Sequence, residues 1–469
     1  MNNIHTKKVK IVATLGPASD NAEMVLKLAQ KGVDVFRLNF SHRSREESEK
    51  SFKYIREAEA LIGRPLAIMG DLAGPKIRIG TVAPGVILKE GQTIKVVSKT
   101  VEGSDKEVSL NFPEILNNLQ KGAEIYIADG TLKLVVEKKI PDGVLAKVII
   151  GGELISKKGF SAQGLAISDF KLSPKDKEDI KTLVDLGADA IAVSFVQTKK
   201  DVESVLKLLP EANRPLVIAK IETRAGVNNI DEILNVAGGI MVARGDLGFA
   251  VPLAELPQIQ KSLILKGLAM AKPVITATQM LESMTYSHMP TRAEVSDVAN
   301  AILDGTDAVM LSGETASGKF PAEAVQVMAD IIKVMAPQVA KREFDEAVSV
   351  TDAVSASVVK LADRVSAKLI VVFTNSGWSA RKISCHRHAQ PIIALSPNQR
   401  TIHRLNFSYG ISGNVTEEIS DVDDLIKVAQ KTALSNPVIK LKKGDYYVIS
   451  AGVPFGKIGS TNLALVQQI

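Results

Sequence analysis

Short aliphatic runs alternate with amphipathic stretches along most of the chain, in a strand–helix rhythm. Residues 9–13 are apolar and lead into the turn Thr14-Leu15-Gly16-Pro17. Residues 20–30 carry helical spacing (Met24, Leu26, Leu28, Ala29), closed by Gly32. A strand at 33–38, a charged helix to about residue 62 and a strand at 66–69 leading to Asp71 follow. This alternation predicts a parallel sheet. After Gly74 the rhythm breaks. To about residue 168 only β-rich runs appear (93–97, 108–112, 124–128, 131–140, 144–150), separated by Asp129-Gly130, Asp142-Gly143 and Gly151-Gly152. They predict a small all-β domain inserted over the end of the third strand, with hinges at Gly74-Pro75 and around Ser168 to Ser173. From Pro174 the rhythm resumes, and counting both parts gives eight strands, each followed by a helix. That is the count of a (β/α)8 TIM barrel. From about residue 344, strands at 368–373, 392–395, 409–412 and 446–450 with intervening helices predict an open C-terminal α/β domain. The expected division is 1–73 with 169–343 for the barrel, 74–168 for a β-barrel-like insert and 344–469 for the last domain.

Composition narrows the class. The 469 residues are 45% hydrophobic and 23% charged, which is globular, and at 4% aromatic the cores must be aliphatic. A net charge of +6 without a dense Lys/Arg run suits small anions better than nucleic acid. The single cysteine, Cys385, excludes an internal disulfide or a multi-cysteine metal site. The start MNNIHTKKVK has no apolar signal region and no run reaches membrane-spanning length, so the expectation is a soluble, cytoplasmic protein without a membrane partner.

The chemistry gathers at the predicted strand ends. The run Pro215-Leu216-Val217-Ile218-Ala219-Lys220-Ile221-Glu222 ends in a cation and a carboxylate two residues apart, which on an extended strand point the same way. Taken alone, this fits a strand-end ion pair as well as a site. Glu222 and Asp246, at the ends of neighbouring strands, suit an oxygen-preferring divalent cation such as Mg²⁺ or Mn²⁺. Arg37, Lys220 and Arg244 suit a phosphate or carboxylate, the Gly245 and Asp246 amides would add donors, and the Thr278 hydroxyl could relay a proton. These are parts for phosphoryl transfer or for stabilising an enolate. There is no Walker A motif and no kinase glycine loop.

The motifs resemble the pyruvate kinase family over essentially the whole chain. The resemblance runs through Arg37-Leu38-Asn39-Phe40-Ser41-His42, Asp71-Leu72-Ala73-Gly74-Pro75-Lys76-Ile77-Arg78 and Ala219-Lys220-Ile221-Glu222. It continues in Val242-Ala243-Arg244-Gly245-Asp246-Leu247-Gly248 and Ala277-Thr278-Gln279-Met280. It implies transfer of a phosphoryl group from phosphoenolpyruvate to ADP, giving pyruvate and ATP. Lys220 would stabilise the transferring group and the enolate, and Glu222 and Asp246 would hold Mg²⁺ or Mn²⁺. Arg37, Gly245, Asp246 and Thr278 would hold phosphoenolpyruvate. Asn39, His42, Arg78 and Lys158 would contact the nucleotide under a closing β lid. Members that need K⁺ hold it with residues matching Asn39, Ser41, Asp71 and Leu72 and often carry glutamate where Lys76 stands. The lysine implies K⁺-independent activity, against the alternative of a solvated hinge lysine. Two further departures are Phe249-Ala250-Val251-Pro252, where the family often has glutamate at the Ala250 position, and Ser161-Ala162-Gln163-Gly164 near the return hinge. Thr374, Ser376, Gly377 and Ser379 resemble the family's effector-phosphate loop, and the stretch from Ala451 to Asn462 resembles the loop that closes over it. An effector would be a sugar phosphate or AMP, against an inherited loop without regulation, and the assembly would be a homotetramer. Two other readings stay open: a metal-dependent lyase or aldolase acting on a pyruvate enolate, which ADP dependence would exclude, and a non-catalytic metabolite sensor.

Overall fold

A computed structural model describes residues 7–41, 43–75, 77–164, 170–344, 349–436, 439–455 and 461–469. Eight parallel strands close into a barrel: Lys10–Leu15, Val35–Asn39, Ala67–Asp71, Ala190–Val193, Leu216–Ile221, Gly239–Ala243, Val274–Ala277 and Ala308–Leu311, the last pairing with the first. Alternate residues of each strand point inward or outward. The inward set is small and aliphatic (Ala67, Ala190, Ala192, Ala243, Ala277, Ala308, with Val12, Ile218 and Met241) and packs as one buried cluster. The outward set, including Ile11, Phe36, Ile68, Ile191, Ile240 and Val309, packs in the larger cluster with helix residues such as Leu28, Ile55 and Ile302. Helices start on side-chain caps, as at Ser44 with Glu47 and Thr291 with Glu294. The first helix closes on Gly32, whose φ of 115° a side chain would strain.

The inserted segment forms a six-stranded sheet in the order Phe160–Ala162, Glu124–Ile127, Leu132–Ile140, Gly143–Ile150, Thr93–Val97, Glu107–Ser109. Arg78 bridges to Gly159 at one edge and Ile79 to Leu110 at the other, so the segment entering the domain links both edges of the sheet. A 3-10 turn at Pro113–Asn118 is its one helical departure from the expected all-β content among the described residues. The C-terminal sheet has five strands. Four were expected; the fifth, Thr461–Gln468, runs antiparallel along Tyr446–Gly452 at the sheet edge. Its aliphatic middle packs alternately on the two sides of the sheet, Ala464 and Val466 on one cluster and Leu463 and Leu465 on the other.

The C-terminal domain is docked to the barrel. Phe407 joins the cluster inside the barrel. Asn406 Nδ2 donates to the Pro65 carbonyl at 2.8 Å. His403 lies between two barrel carboxylates, Nε2 at 2.8 Å from Glu59 Oε1 and Nδ1 at 3.3 Å from Asp189 Oδ1, while Arg56 reaches Asp189 Oδ2 at 3.0 Å. Burial works to lower the pKa of His403, but hydrogen bonding to Asp189 and Glu59 outweighs it and holds the imidazole above its usual 6.5. The stability this adds is complete below the unfolded value of 6.5 and is lost as pH rises through the higher folded value. His403→Gln is therefore expected to cost about 2 kcal/mol at pH 6 and less at alkaline pH. Unfolding midpoints read at Trp378, the one tryptophan, would check this; parallel pH profiles for the two proteins would rule the clamp out.

Candidate active site

The C-terminal ends of the barrel strands and the facing edge of the inserted domain enclose a cleft of about 280 Å³. Its centre is Lys220, whose Nζ lies 2.9 Å from Glu222 Oε1 and 3.3 Å from Asp71 Oδ1 and donates to Ser194 Oγ at 2.8 Å. Asp71 Oδ2 accepts from Arg37 Nε at 2.7 Å, and Arg37 Nη1 donates to Thr14 Oγ1 at 2.9 Å. Ser194 in turn donates to the Leu72 carbonyl at 2.8 Å. Asp71 and Glu222 are each only 2% exposed. Isolated buried charges are costly, so the sequence of cation, carboxylate, cation, carboxylate holds itself together.

The charge states follow from these contacts. Burial alone would discharge Lys220, but Asp71 and Glu222 hold its pKa above the ordinary lysine value. Asp71 is buried too, yet Lys220 and Arg37 keep its carboxyl below the usual range. Glu222 goes the other way: burial, with Asp246 adding to it, raises its pKa against the pull of Lys220. A buried carboxylate whose pKa is raised, with a second carboxylate beside it adding to the rise, fits a divalent cation, which would relieve the repulsion. Among the described residues no group of three or more His, Cys, Asp or Glu could hold a metal. A cation here would thus complete its shell with substrate oxygens and water, as Mg²⁺ commonly does.

Thr278 follows the strand Val274–Ala277 in left-handed backbone, φ 68°, and Gln279 continues at φ 53°. Arg244 supports this turn. Its Nη2 donates to the Thr278 carbonyl at 2.8 Å and its Nη1 to Asp297 Oδ1 at 2.7 Å. The expectation that Arg244 faces an anionic substrate is therefore corrected: it is 8% exposed, turned into the protein, and does not line the cleft. The residue opens the helix Arg244–Ala250, so the alternation that aims Lys220 no longer applies. The Gly245 amide is also engaged, donating to Thr278 Oγ1 at 2.7 Å.

Of the other expected residues, Asn39, Ser41, Leu72 and Arg78 line the cleft. Ser41 N–H donates to Asn39 Oδ1 at 3.1 Å, and Arg78 Nη1 to the Lys157 carbonyl at 3.0 Å. Lys158 is exposed beside the lining residues Gly159 and Phe160. His42, Lys76, Ser168 and the 456–460 part of the C-terminal loop lie outside the described residues. Sequence reasoning assigned no role to Ser194, Phe195 or Tyr126, which also line the cleft. Phe249, noted only as a departure, packs its ring 5.0 Å from Tyr126 and ties the barrel to the insert.

A larger cavity, about 670 Å³, lies in the C-terminal domain, remote from these charges. Thr374, Ser376, Trp378 and Ser379 line one wall, Glu417, Glu418 and Asp421 another. Gly377 sits between the hydroxyls at φ 81°, its N–H donating to Thr374 Oγ1 at 3.0 Å, and the Ser379 and Thr461 hydroxyls bond each other.

A TIM barrel with three acidic groups, a buried lysine and an arginine at its strand ends, beneath an inserted β domain, has the layout of a barrel enzyme for small anionic substrates. Residues 6–325 match the family described as "Pyruvate kinase, barrel domain", and residues 352–467 match "Pyruvate kinase, alpha/beta domain". The chain is 40% identical to a pyruvate kinase of Methylorubrum extorquens, covering 98% of this chain and 97% of the relative. It is 41% identical to one of Geobacillus stearothermophilus, covering 99% and 80%. A crystal structure of a pyruvate kinase from Cryptosporidium parvum superposes with a TM-score of 0.91 at 34% identity, covering 99% of this chain and 97% of that one. The chain belongs to the pyruvate kinase family.

The support Arg244 gives to the Thr278 turn can be measured. Arg244→Met should lower stability by about 2 kcal/mol and reduce turnover more than substrate affinity. Denaturant unfolding and steady-state kinetics test this; an unchanged rate in a folded variant would exclude a role in placing Thr278.

Proposed function

We propose that this enzyme transfers the phosphoryl group of phosphoenolpyruvate to ADP, giving pyruvate and ATP, at the cleft around Lys220. The observation that carries the reading is the Lys220 ammonium, kept charged among Asp71, Glu222 and Ser194 beside Asp246. A group held cationic in this way cannot serve as a base; it stabilises negative charge where the phosphoryl group moves and the enolate forms. Arg37 anchors the anionic substrate, using Nε and Nη1 on Asp71 and Thr14 and having further donors on its guanidinium. Glu222 and Asp246 would hold Mg²⁺ or Mn²⁺, which would supply positive charge against the negative charge of the substrate. The Gly245 and Asp246 amides take part in substrate binding once Thr278 releases its bond to Gly245. The Thr278 hydroxyl then stands where a proton is relayed to the enolate. Asn39, His42, Arg78 and Lys158 meet the nucleotide as the inserted domain closes and excludes water.

The same reading assigns the barrel to 1–73 and 169–343, the lid to 74–168 and the remainder to effector binding and assembly. The protein works as a cytoplasmic homotetramer; no helix among the described residues is long and apolar enough to cross a membrane. A sugar phosphate or AMP binds at Thr374, Ser376, Gly377 and Ser379. The lyase and sensor alternatives have no observation of their own in favour.

Lys76 takes the place of a monovalent cation near Asn39, Ser41, Asp71 and Leu72. In support, Asp71 is already flanked by Arg37 and Lys220, the Leu72 carbonyl is taken by Ser194, and Asn39 Oδ1 accepts from Ser41. ATP formation with Mg²⁺ should proceed at full rate without K⁺ or NH₄⁺ and stay unchanged when K⁺ is added. Activity appearing only with K⁺ would keep the reaction and remove Lys76 from this role. Lys220→Met should lower turnover roughly 10²–10³-fold while circular dichroism shows a folded protein; full activity in that variant would contradict the assignment.

A further inference from the structure

Phe195 follows the strand Ala190–Val193 at φ 57°, a left-handed backbone that a bulky side chain rarely adopts. Such outliers persist only where surrounding contacts hold them. Two contacts do so here, and they face different parts of the molecule. The Phe195 amide donates to Glu222 Oε2 at 2.7 Å. Its half-buried side chain packs against the core cluster of the inserted domain. The preceding residue is equally committed: Ser194 accepts from Lys220 and donates to the Leu72 carbonyl. The insert leaves the barrel against this turn, since a Cβ on Gly74 would come within 2.7 Å of the Ser194 Cβ. One turn thus touches Lys220, Glu222 and the inserted domain together.

We propose that Phe195 is a positioning residue that couples the inserted domain to Glu222: its ring senses where the domain sits, and its amide aims the carboxylate accordingly. With the domain seated, the ring is clasped and the left-handed turn is held, so Glu222 Oε2 is fixed. When the domain lifts, the ring loses its packing, the turn relaxes toward ordinary backbone, and the carboxylate is freed. The inference rests on Glu222 being a metal ligand, and the test separates the two ideas.

Direct Mn²⁺ binding, read by the loss of the free-ion electron paramagnetic resonance signal, is compared in the wild type, Glu222→Gln, Phe195→Ala and the double variant of the full chain. Phe195→Ala should weaken Mn²⁺ binding on the order of tenfold, the scale of support beyond the ligands themselves. Glu222→Gln should weaken it as well, and adding Phe195→Ala to Glu222→Gln should change nothing more. Phe195→Leu, which keeps an apolar side chain, should restore most of the affinity and serves where the alanine variant folds poorly. If Glu222→Gln binds Mn²⁺ normally, the metal reading fails. If Glu222→Gln weakens binding but Phe195→Ala does not, or the two effects simply add, the coupling is overturned while the metal reading stands.

Discussion

The run of alternating charge from Arg37 through Asp71 and Lys220 to Glu222 is the constraint on which the rest depends. None of these groups could be buried alone, because an unpaired charge out of water costs several kcal/mol. Together they are tolerable only if four side chains from three strands converge within hydrogen-bonding distance. The closed barrel supplies that convergence. Val35–Asn39 and Ala67–Asp71 are adjacent strands, and Leu216–Ile221 lies one strand beyond Ala190–Val193. The polar spokes point inward because the strands below them alternate strictly, with small aliphatics filling the barrel interior. The site is therefore the polar top layer of a packed barrel.

The inserted domain departs from the third strand immediately after Asp71, so it stands over this charge layer. Its core is separate from the barrel's, and the contacts across the boundary include the Tyr126–Phe249 rings and Phe195. A separate core lets such a domain move as a unit, and a few aromatic contacts make its seated position a preference of modest size. The C-terminal domain is tied differently. Phe407 enters the barrel cluster and His403 sits between two barrel carboxylates, so its docking carries both apolar burial and charge. One barrel thus carries one partner over the cleft at its strand ends and another docked through Phe407 and His403.

Much of this was legible in the chain. The strand expected at 93–97 is Thr93–Val97, and the run at 131–140 becomes Leu132–Ile140. In both, apolar and polar residues alternate between turn residues, and the structure buries most of the apolar ones. Lys220 and Glu222 were expected to face one way, and their side chains meet at 2.9 Å. Thr461–Gln468 went unread although its middle, Leu463 to Val466, is aliphatic, because the stretch up to Asn462 reads as a loop.

By itself the sequence determined the order of elements, the barrel count, the place of the insertion and which charged residues stand at strand ends. These depend on local periodicity and turn chemistry, which neighbouring residues decide. Tertiary structure alone decided which of those charges meet. Arg244 shows the difference: like Lys220 it stands at a strand end, but it opens a helix, and its guanidinium goes to Asp297 and the Thr278 carbonyl. Phe195 shows the reverse, an apolar residue in left-handed backbone whose amide holds a carboxylate 27 residues away. Side-chain direction follows a two-residue period only while the backbone is extended. Once the strand ends, partners from distant segments set it, and their positions exist only in the folded barrel.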